Sequence, residues 1–395
     1  MLTTLKLIQQ FQSIFNTKQT PRTFFAPGRI NLIGEHTDYN GGHVFPASIS
    51  VGTYALGHTR DDQLLRFYSL NFPNTGIIEC NLMDLAFNDE HDWANFPKGM
   101  IKYMIGSGQK ISTGMDILFF GDIPNGAGLS SSASIEMVTG VLLEGLFDLT
   151  IDRLKMIKLG QMVENDYIGV NSGIMDQFAI GKGKKNHGIL LNCQSLEYNY
   201  APIELDDHVI MIINTNKKRT LAGSNYNERR EQCEQALADL QSELQIDSLG
   251  ELSKVQFEQH KYLITDEVNR RRAKHAVYEN VRTVDALQKL KQGDLNEFGL
   301  LMNESHLSLQ HDYEVTGIEL DTIVKAAWAQ KGVVGARMTG AGFGGCAIAI
   351  VEKDKVDSFK RNVNTIYSKT IGYEASFYTA AIGDGAREIT EGVVK

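Results

Sequence analysis

Residues 124–136 read PNGAGLSSSASIE, a glycine-rich turn that leads into a run of three serines. An apolar run at residues 117–120 comes just before the turn. After it, apolar residues recur at helical spacing, at Ile135, Val138, Leu142 and Leu146. The pattern predicts a strand, a tight turn and the start of a helix. Because glycine allows close backbone approach and a helix N-terminus offers free N–H groups, such a turn is suited to binding a phosphate.

The phosphate-binding turn is not of the Walker type. No Lys-Ser or Lys-Thr pair follows its glycines, as the P-loop pattern requires. A phosphate held here would depend on backbone N–H groups and the helix dipole, with positive charge supplied from another part of the chain.

The composition sets the class of protein and of ligand. A chain of 395 residues exceeds the usual size of one compact domain and predicts two. The net charge of −9 argues against a nucleic-acid or membrane partner and favours a small-molecule substrate. The four cysteines are scattered without a CxxC pair, so neither a disulfide framework nor a zinc site is expected. Reduced thiols suit a cytoplasmic protein.

The first 15 residues place apolar side chains at near-helical spacing, interrupted by lysine and glutamines. We interpret them as an amphipathic helix and not as a signal peptide. No apolar run in the sequence approaches the roughly 18 residues that a membrane-spanning helix needs. A soluble protein is therefore expected.

Residues 24–49, FFAPGRINLIGEHTDYNGGHVFPASI, carry a dense polar segment between two apolar runs. Arg29, Glu35, His36 and Asp38 lie within ten residues, flanked by glycines. A solvated loop is the simpler interpretation of an arbitrary charge cluster. Here the apolar flanks favour a binding segment, and carboxylate, imidazole and guanidinium groups together suit a polyhydroxylated ligand. The segment therefore indicates a sugar site.

Two acids stand out in the middle of the chain. Glu164 lies near the end of a helical stretch at about residues 150–167, and Asp176 lies among apolar neighbours in GIMDQF, residues 173–178. An acid inside an apolar segment is either paired or functional, because an unpaired buried carboxylate is costly. The residues alone leave both interpretations open.

Elements alternate along the chain without a regular parallel βαβ series, which favours an α+β fold. We expect two domains built of mixed sheets with helices, with the active site in the cleft between them. No proline- or serine-rich linker marks the division. We place it near residues 203–207, which gives domains of residues 1–205 and 206–395.

Three segments resemble the signatures of one kinase family. Residues 28–42, GRINLIGEHTDYNGG, are similar to the signature of galactokinases, members of the superfamily that includes homoserine, mevalonate and phosphomevalonate kinases. Residues 124–133 resemble the phosphate loop of that superfamily, and residues 338–346, MTGAGFGGC, its third motif. The three motifs occur in the family's order and span most of the chain, which makes the resemblance specific.

The resemblance assigns roles to single residues. Asp176 falls at the position of the catalytic aspartate, with Arg29 beside it, and Glu164 and Ser132 fall at those of the magnesium ligands. The residues that would contact the sugar are Glu35, His36, Asp38, Gly173 and Tyr226. Helical spacing alone favours a core role for Tyr226. The residues that would hold the ATP phosphates are Gly126, Ala127, Gly128, Leu129, Ser130, Ser131, Ser132 and Ala133.

The activity that the resemblance implies is ATP- and Mg²⁺-dependent phosphorylation of α-D-galactose at the C1 hydroxyl, in galactose metabolism. A monomer is the expected state, and Trp93 and Tyr103 are candidates for contact with the adenine base. Two alternatives remain: a kinase for a related sugar such as N-acetylgalactosamine or arabinose, and a non-catalytic galactose and ATP sensor. A sensor should show damaged motifs, whereas Arg29, Glu164 and Asp176 are all in place.

Overall fold

Three β-sheets and the helices that cover them make up the described part of the chain, which in this computed structural model comprises residues 3–124, 128–217 and 222–389. The strands are β1 (Arg22–Asn31), β2 (His43–Val44), β3 (Pro46–Thr59), β4 (Leu64–Ser69), β5 (Ile78–Asn81), β6 (Met115–Gly121), β7 (His187–Asn192), β8 (Tyr198–Pro202), β9 (His208–Asn214), β10 (Val333–Thr339), β11 (Cys346–Glu352), β12 (Ser376–Ala380) and β13 (Arg387–Glu388). The helices are α1 (Thr4–Phe15), α2 (Asn95–Gly106), α3 (Ser131–Leu146), α4 (Arg153–Met162), α5 (Met175–Lys182), α6 (Ala222–Leu240), α7 (Lys254–His260), α8 (Glu267–Lys291), α9 (Leu295–Ser308), α10 (Gly317–Trp328) and α11 (Val356–Ile371). Two π-helical turns, Val163–Ile168 and Leu309–Tyr313, continue α4 and α9.

The first sheet has the strand order β13-β1-β3-β6-β4-β5, in which β4 and β6 are parallel and the other pairs antiparallel. Its central strands are apolar, and α3 packs against β1 and β3. Phe24, Ala55, Ile117 and Leu142 from these elements share one core cluster. Burial of this apolar face holds α3, and with it the turn before α3, in a fixed place on the sheet.

The second sheet, in the order β10-β11-β9-β12, is antiparallel throughout. Helices α10 and α11 pack on it, and Met211, Ala347 and Phe359 belong to its core. A small third sheet has the order β2-β7-β8, and its strand β2 comes directly after the polar segment at residues 28–42. Sheets of parallel and antiparallel strands, with helices packed on them, confirm the predicted α+β class.

A further core cluster joins the two halves of the chain. Ile30 and Phe45 from the first half pack there with Ile212, Ala286 and Ile348 from the second. The predicted division at residues 203–207 falls between β8 and β9, but strand β13 returns to pair with β1. The division into residues 1–205 and 206–395 stays a prediction, and it leaves out this returning strand.

The N-terminal helix α1 forms as predicted, with Leu7, Phe11 and Phe15 buried and Thr3 capping its first turn. Within residues 3–124, 128–217 and 222–389, no helix is both long enough and apolar enough to cross a membrane.

Candidate active site

The strand and the helix predicted on either side of the glycine-rich turn are present as β6 and α3. Gly126 and Ala127 lie outside the described residues, and Gly128, Leu129 and Ser130 lead into the helix. Ser130 occupies the N-cap position in the left-handed region, with φ 63°, and its side chain does not cap the helix. Its hydroxyl instead donates to Asp176 Oδ2 at 2.5 Å. The first N–H groups of α3 are thus not capped by Ser130, as an anion site requires.

Arg29 and Asp176 form a two-pronged ion pair at the centre of the site. Arg29 Nε donates to Asp176 Oδ1 at 2.7 Å, and Nη2 donates to Oδ2 at 2.8 Å. Burial acts to lower the pKa of Arg29, but the charges of Asp176 and Glu35 outweigh it and raise the pKa above its usual value. A guanidinium fixed in this geometry orients the carboxylate through two charge-assisted hydrogen bonds.

A bulge in β1 positions Arg29. The register of β1 against β3 shifts between Pro27 and Arg29, which is how bulges redirect a side chain. Both the backbone and the side chain of Arg29 contact the phosphate loop. The Arg29 backbone N–H donates to Leu129 O at 3.1 Å, and the side-chain Nη1 donates to Gly128 O at 2.9 Å. A Cβ on Gly28 would lie 2.7 Å from Leu129 O, so only glycine allows this approach. Arg29 therefore connects the phosphate loop to Asp176.

Asp38 faces Asp176 across the cavity, at the start of a 3-10 turn, Asp38–Asn40. Burial and the charge of Asp176 raise the pKa of Asp38 to about 7, although backbone N–H groups of Tyr39 and Met175 lower it. Gly173 packs directly on this carboxyl, because a Cβ at Gly173 would lie 1.9 Å from Asp38 Oδ2. The structure thus explains why glycine is needed at residue 173.

Glu35 and His36 line the same cavity with their side chains already bonded to protein groups. Glu35 Oε1 accepts from Gly340 N–H at 2.7 Å and from Arg337 Nη1 at 3.4 Å. His36 Nδ1 lies 2.7 Å from Tyr39 Oη, and His36 Nε2 lies 3.2 Å from Ala341 O. These two side chains are therefore held in place before any ligand binds.

Glu164 and Ser132 lie at the phosphate end of the cavity. Burial raises the pKa of Glu164, which is 7% exposed, while a hydrogen bond from Ser132 lowers it. A hydroxyl and a carboxylate are the oxygen ligands that Mg²⁺ prefers. Among the described residues no group of three or more His, Cys, Asp or Glu side chains could hold a metal ion. These two residues suit a magnesium ion whose other ligands come from nucleotide phosphates and water.

One cavity of about 360 Å³ brings most of the predicted site residues together. Of the predicted residues, those that line it are Arg29, Glu35, His36, Asp38, Gly128, Leu129, Ser130, Ser131, Ser132, Glu164, Gly173, Asp176 and Tyr226. Ala133 does not line it, because its side chain is buried in the core cluster that α3 shares with the first sheet. Gly340 and Ala341 also line the cavity. The glycine-rich motif at residues 338–346 is the general sequence signal that points to them.

A second cavity of about 230 Å³ adjoins the first and shares Phe96, Ile123, Ser131 and Ser132 with it. Trp93 lines it, and the Nε1 atom of Trp93 is buried with no hydrogen-bond partner among the described residues. Tyr103 lines neither cavity and instead packs on Tyr167, with ring centroids 6.5 Å apart. An aromatic pocket beside the phosphate loop can take a flat heterocycle.

Comparison with known proteins gives matches along most of the chain. Residues 9–59 match the galactokinase galactose-binding signature, residues 95–184 the N-terminal domain of GHMP kinases, and residues 286–369 their C-terminal domain. The galactokinase of Ligilactobacillus salivarius is 57% identical over 378 residues, which cover 96% of this chain and 97% of that protein. The galactokinase of Exiguobacterium sibiricum is 59% identical over 393 residues, which cover 100% of both.

Solved structures give the same result. The crystal structure of Lactococcus lactis galactokinase complexed with galactose matches with a TM-score of 0.96 at 51% identity, covering 98% of this chain and 100% of that one. Mevalonate kinase of Methanococcus jannaschii matches with a TM-score of 0.67 at 19% identity, covering 93% of this chain and 100% of that one, and shows a shared fold. The chain belongs to the galactokinase family of the GHMP kinases.

Proposed function

We propose that this enzyme transfers the γ-phosphoryl group of ATP to the C1 hydroxyl of α-D-galactose. The observation that carries the proposal is the Arg29–Asp176 pair, which lies in one cavity with both the phosphate loop and the sugar-signature residues. Acceptor and donor can therefore meet at a single carboxylate.

The sugar would lie against a surface that we call the sugar wall, formed by Glu35, His36, Asp38, Gly173 and Tyr226. Asp38 is suited to accept hydrogen bonds from sugar hydroxyls, because its carboxyl faces the cavity at a fixed position over Gly173. Tyr226 adds an aromatic surface, with its ring centroid 5.5 Å from that of His36. Burial raises the pKa of the Tyr226 phenol well above its usual value, so its hydroxyl stays able to donate.

The nucleotide would lie on the phosphate wall, formed by Gly128, Leu129, Ser130, Ser131, Ser132 and Glu164. The N-terminus of α3 would hold the polyphosphate, and the base would enter the cavity lined by Trp93. Ser132 and Glu164 would hold Mg²⁺, which when bound neutralises the phosphate charge and orients the γ-phosphoryl group.

The transfer forms a bond between the C1 oxygen and the γ-phosphorus and breaks the bond from that phosphorus to the β–γ bridging oxygen, which leaves as part of ADP. Asp176 would accept the hydroxyl proton, and Arg29 and Ser130 hold its carboxylate in position. Arg29 also brings positive charge next to the phosphate loop, where charge is redistributed in the transition state. In a loose transition state, positioning and electrostatics contribute more than proton transfer.

The cysteine side chains favour the cytoplasm as the location of the reaction. Free thiols are present at Cys80, Cys193 and Cys233, which suits the reducing cytoplasm. We expect the enzyme to act there as a monomer on galactose and MgATP.

A panel of sugars tests this proposal. ADP release is measured from purified enzyme with MgATP and galactose, N-acetylgalactosamine, arabinose or glucose. Galactose should give the highest kcat/KM, with galactose 1-phosphate identified as the product. A preference for N-acetylgalactosamine or arabinose would make the enzyme a sister kinase. Galactose binding without ADP release from any sugar would support the sensor alternative.

A further inference from the structure

A chain of hydrogen bonds runs beneath the sugar wall and crosses between the two halves of the molecule. Cys233 Sγ on α6 lies 3.2 Å from Tyr313 Oη, in the π-helical turn after α9. Tyr313 Oη lies 2.7 Å from Tyr39 Oη, and Tyr39 Oη lies 2.7 Å from His36 Nδ1. The last hydrogen bond of this series joins His36 Nε2 and, in the glycine-rich loop after β10, Ala341 O, which lie 3.2 Å apart.

The hydrogen bond to Ala341 O determines which group donates and which accepts in the other hydrogen bonds of the series. A backbone carbonyl can only accept, so His36 Nε2 must carry a proton and donate to Ala341 O. Burial lowers the pKa of His36 to about 3, so the neutral ring has no second proton and Nδ1 is an acceptor. The Tyr39 hydroxyl must then donate to Nδ1, and the Tyr39 oxygen accepts from the Tyr313 hydroxyl. The Cys233 thiol, whose pKa is raised to about 11 by burial, can donate to the Tyr313 oxygen.

We infer that Tyr39 and Tyr313 are positioning residues for the sugar wall, which fix His36 as the Nε2–H tautomer and so hold the segment of residues 28–42 against Ala341. The inference rests on the proposed function only in that the cavity lined by His36 and Ala341 is taken as the sugar site. It adds a role for two tyrosines that do not themselves line the cavity.

The backbone at His36 needs such support. His36 has φ 60°, in the left-handed region that residues other than glycine adopt only at a cost in free energy. Its ring is also packed on Tyr313, with centroids 4.8 Å apart. Because both ring nitrogens are bonded to protein groups, His36 meets the sugar with its backbone and ring surface. The tautomer of His36 therefore acts by fixing the position of the His36 ring and backbone in the sugar wall. The ring nitrogens themselves do not hydrogen-bond to the sugar.

The direct test is nitrogen-15 NMR of the ring of His36 in the full-length protein labelled at its ten histidines, with His36→Gln used for assignment. The wild-type ring is expected to show a protonated Nε2 and an unprotonated, hydrogen-bonded Nδ1. A protonated Nδ1 in the wild type would overturn the inference. This readout needs neither substrate nor activity, so it is decided even if galactose proves not to be the acceptor.

Variants then link the tautomer to the sugar site. Tyr39→Phe removes the donor to Nδ1, so the Nδ1 resonance should lose its hydrogen-bond shift, and the KM for galactose should rise about 10-fold while the KM for ATP stays within about twofold. Tyr313→Phe leaves the bond to Nδ1 in place and should raise the galactose KM less. Tyr278→Phe removes a hydroxyl that donates to Glu258 at the surface and is the matched control, with no change expected. A Tyr39→Phe enzyme with an unchanged Nδ1 resonance and an unchanged galactose KM would overturn the inference.

Discussion

On the sugar wall the polar side chains of Glu35 and His36 already have protein partners, whereas on the phosphate wall the first turn of α3 lacks its serine cap. Glu35 is held by Gly340, and both ring nitrogens of His36 are bonded. By contrast, Ser130 donates to Asp176, and Ser131 and Ser132 line both cavities. Protein groups thus hold the side chains of Glu35 and His36 in place, whereas the first N–H groups of α3 are not capped by Ser130 and can bind an anion.

The difference fits the ligand that each wall is proposed to bind. A sugar carries no charge, so recognising it depends on hydrogen-bonding groups at fixed positions. If these side chains were mobile, the free energy needed to order them on binding would lower the affinity. A polyphosphate carries several charges, which backbone N–H groups, a helix dipole and a metal ion can hold without rigid side chains. Arg29 and Asp176 connect the two walls, since Arg29 is bonded to both Gly128 and Asp176. Substitutions on each wall and at this connection should therefore have separable effects.

Asp176→Asn should have the largest effect, because it alters the connection between the walls. The amide cannot accept the proton and loses the charge that Arg29 pairs with, so turnover should fall by about 1,000-fold or more, equivalent to about 4 kcal/mol. Galactose binding, measured by calorimetry, should persist because the sugar wall is intact. Asp357→Asn, an exposed Asp-to-Asn change on α11, is the control. An Asp176→Asn enzyme with near-normal kcat would remove Asp176 from the role of base.

Gly173→Ala should damage the sugar wall alone. The added Cβ would lie 1.9 Å from Asp38 Oδ2, so Asp38 or the backbone at residue 173 must shift. We expect kcat/KM for galactose to fall about 100-fold, or about 3 kcal/mol, with the KM for ATP nearly unchanged. Gly106→Ala, where no atom lies within 4 Å of the new Cβ, should behave as wild type. Equal losses toward galactose and ATP would argue against separate walls.

Local patterns in the sequence predict β6 and α3, because the apolar spacing that specifies them lies within about 30 residues. The Arg29–Asp176 pair could not be derived in this way, since its members are 147 residues apart and meet only after a bulge turns β1. The residues alone left Asp176 as either paired or functional. In the structure it is paired, and the pairing itself supports the proposed role.

Side-chain environment was the harder part to predict. The sequence placed Glu35 and His36 in the sugar site but could not show that protein groups already bind them. Tyr103 is a sequence candidate for contact with the base, yet it packs on Tyr167 away from both cavities, because its direction depends on how α2 is rotated against α3 and α4. The pairing of β13 with β1 likewise depends on contacts over more than 360 residues, which no local pattern records.

Glu164→Gln probes the phosphate wall. The amide is a weaker ligand for Mg²⁺ than a carboxylate, so the Mg²⁺ concentration for half-maximal rate should rise about 30-fold, equivalent to about 2 kcal/mol. The KM for galactose should change little. Glu136→Gln is a matched buried control, because burial raises the pKa of Glu136 well above its usual value and favours the neutral carboxyl that Gln imitates. A galactose KM that rises together with the Mg²⁺ requirement would show that the two walls are coupled.

The smallest effect concerns the charge of Asp38 in the ligand-free enzyme. Burial and Asp176 raise the pKa of Asp38 to about 7, so between pH 4 and pH 7 the folded protein holds a proton that the unfolded chain has released. Stability from this group is therefore present at low pH and lost as pH rises. Relative to Asp38→Asn, wild-type stability should fall by about 1 kcal/mol for each pH unit between pH 4.5 and 6.5. Urea unfolding of the two proteins at each pH measures the difference in stability. If the stability of the wild type relative to Asp38→Asn stays constant or rises with pH, Asp38 is ionised in the ligand-free protein.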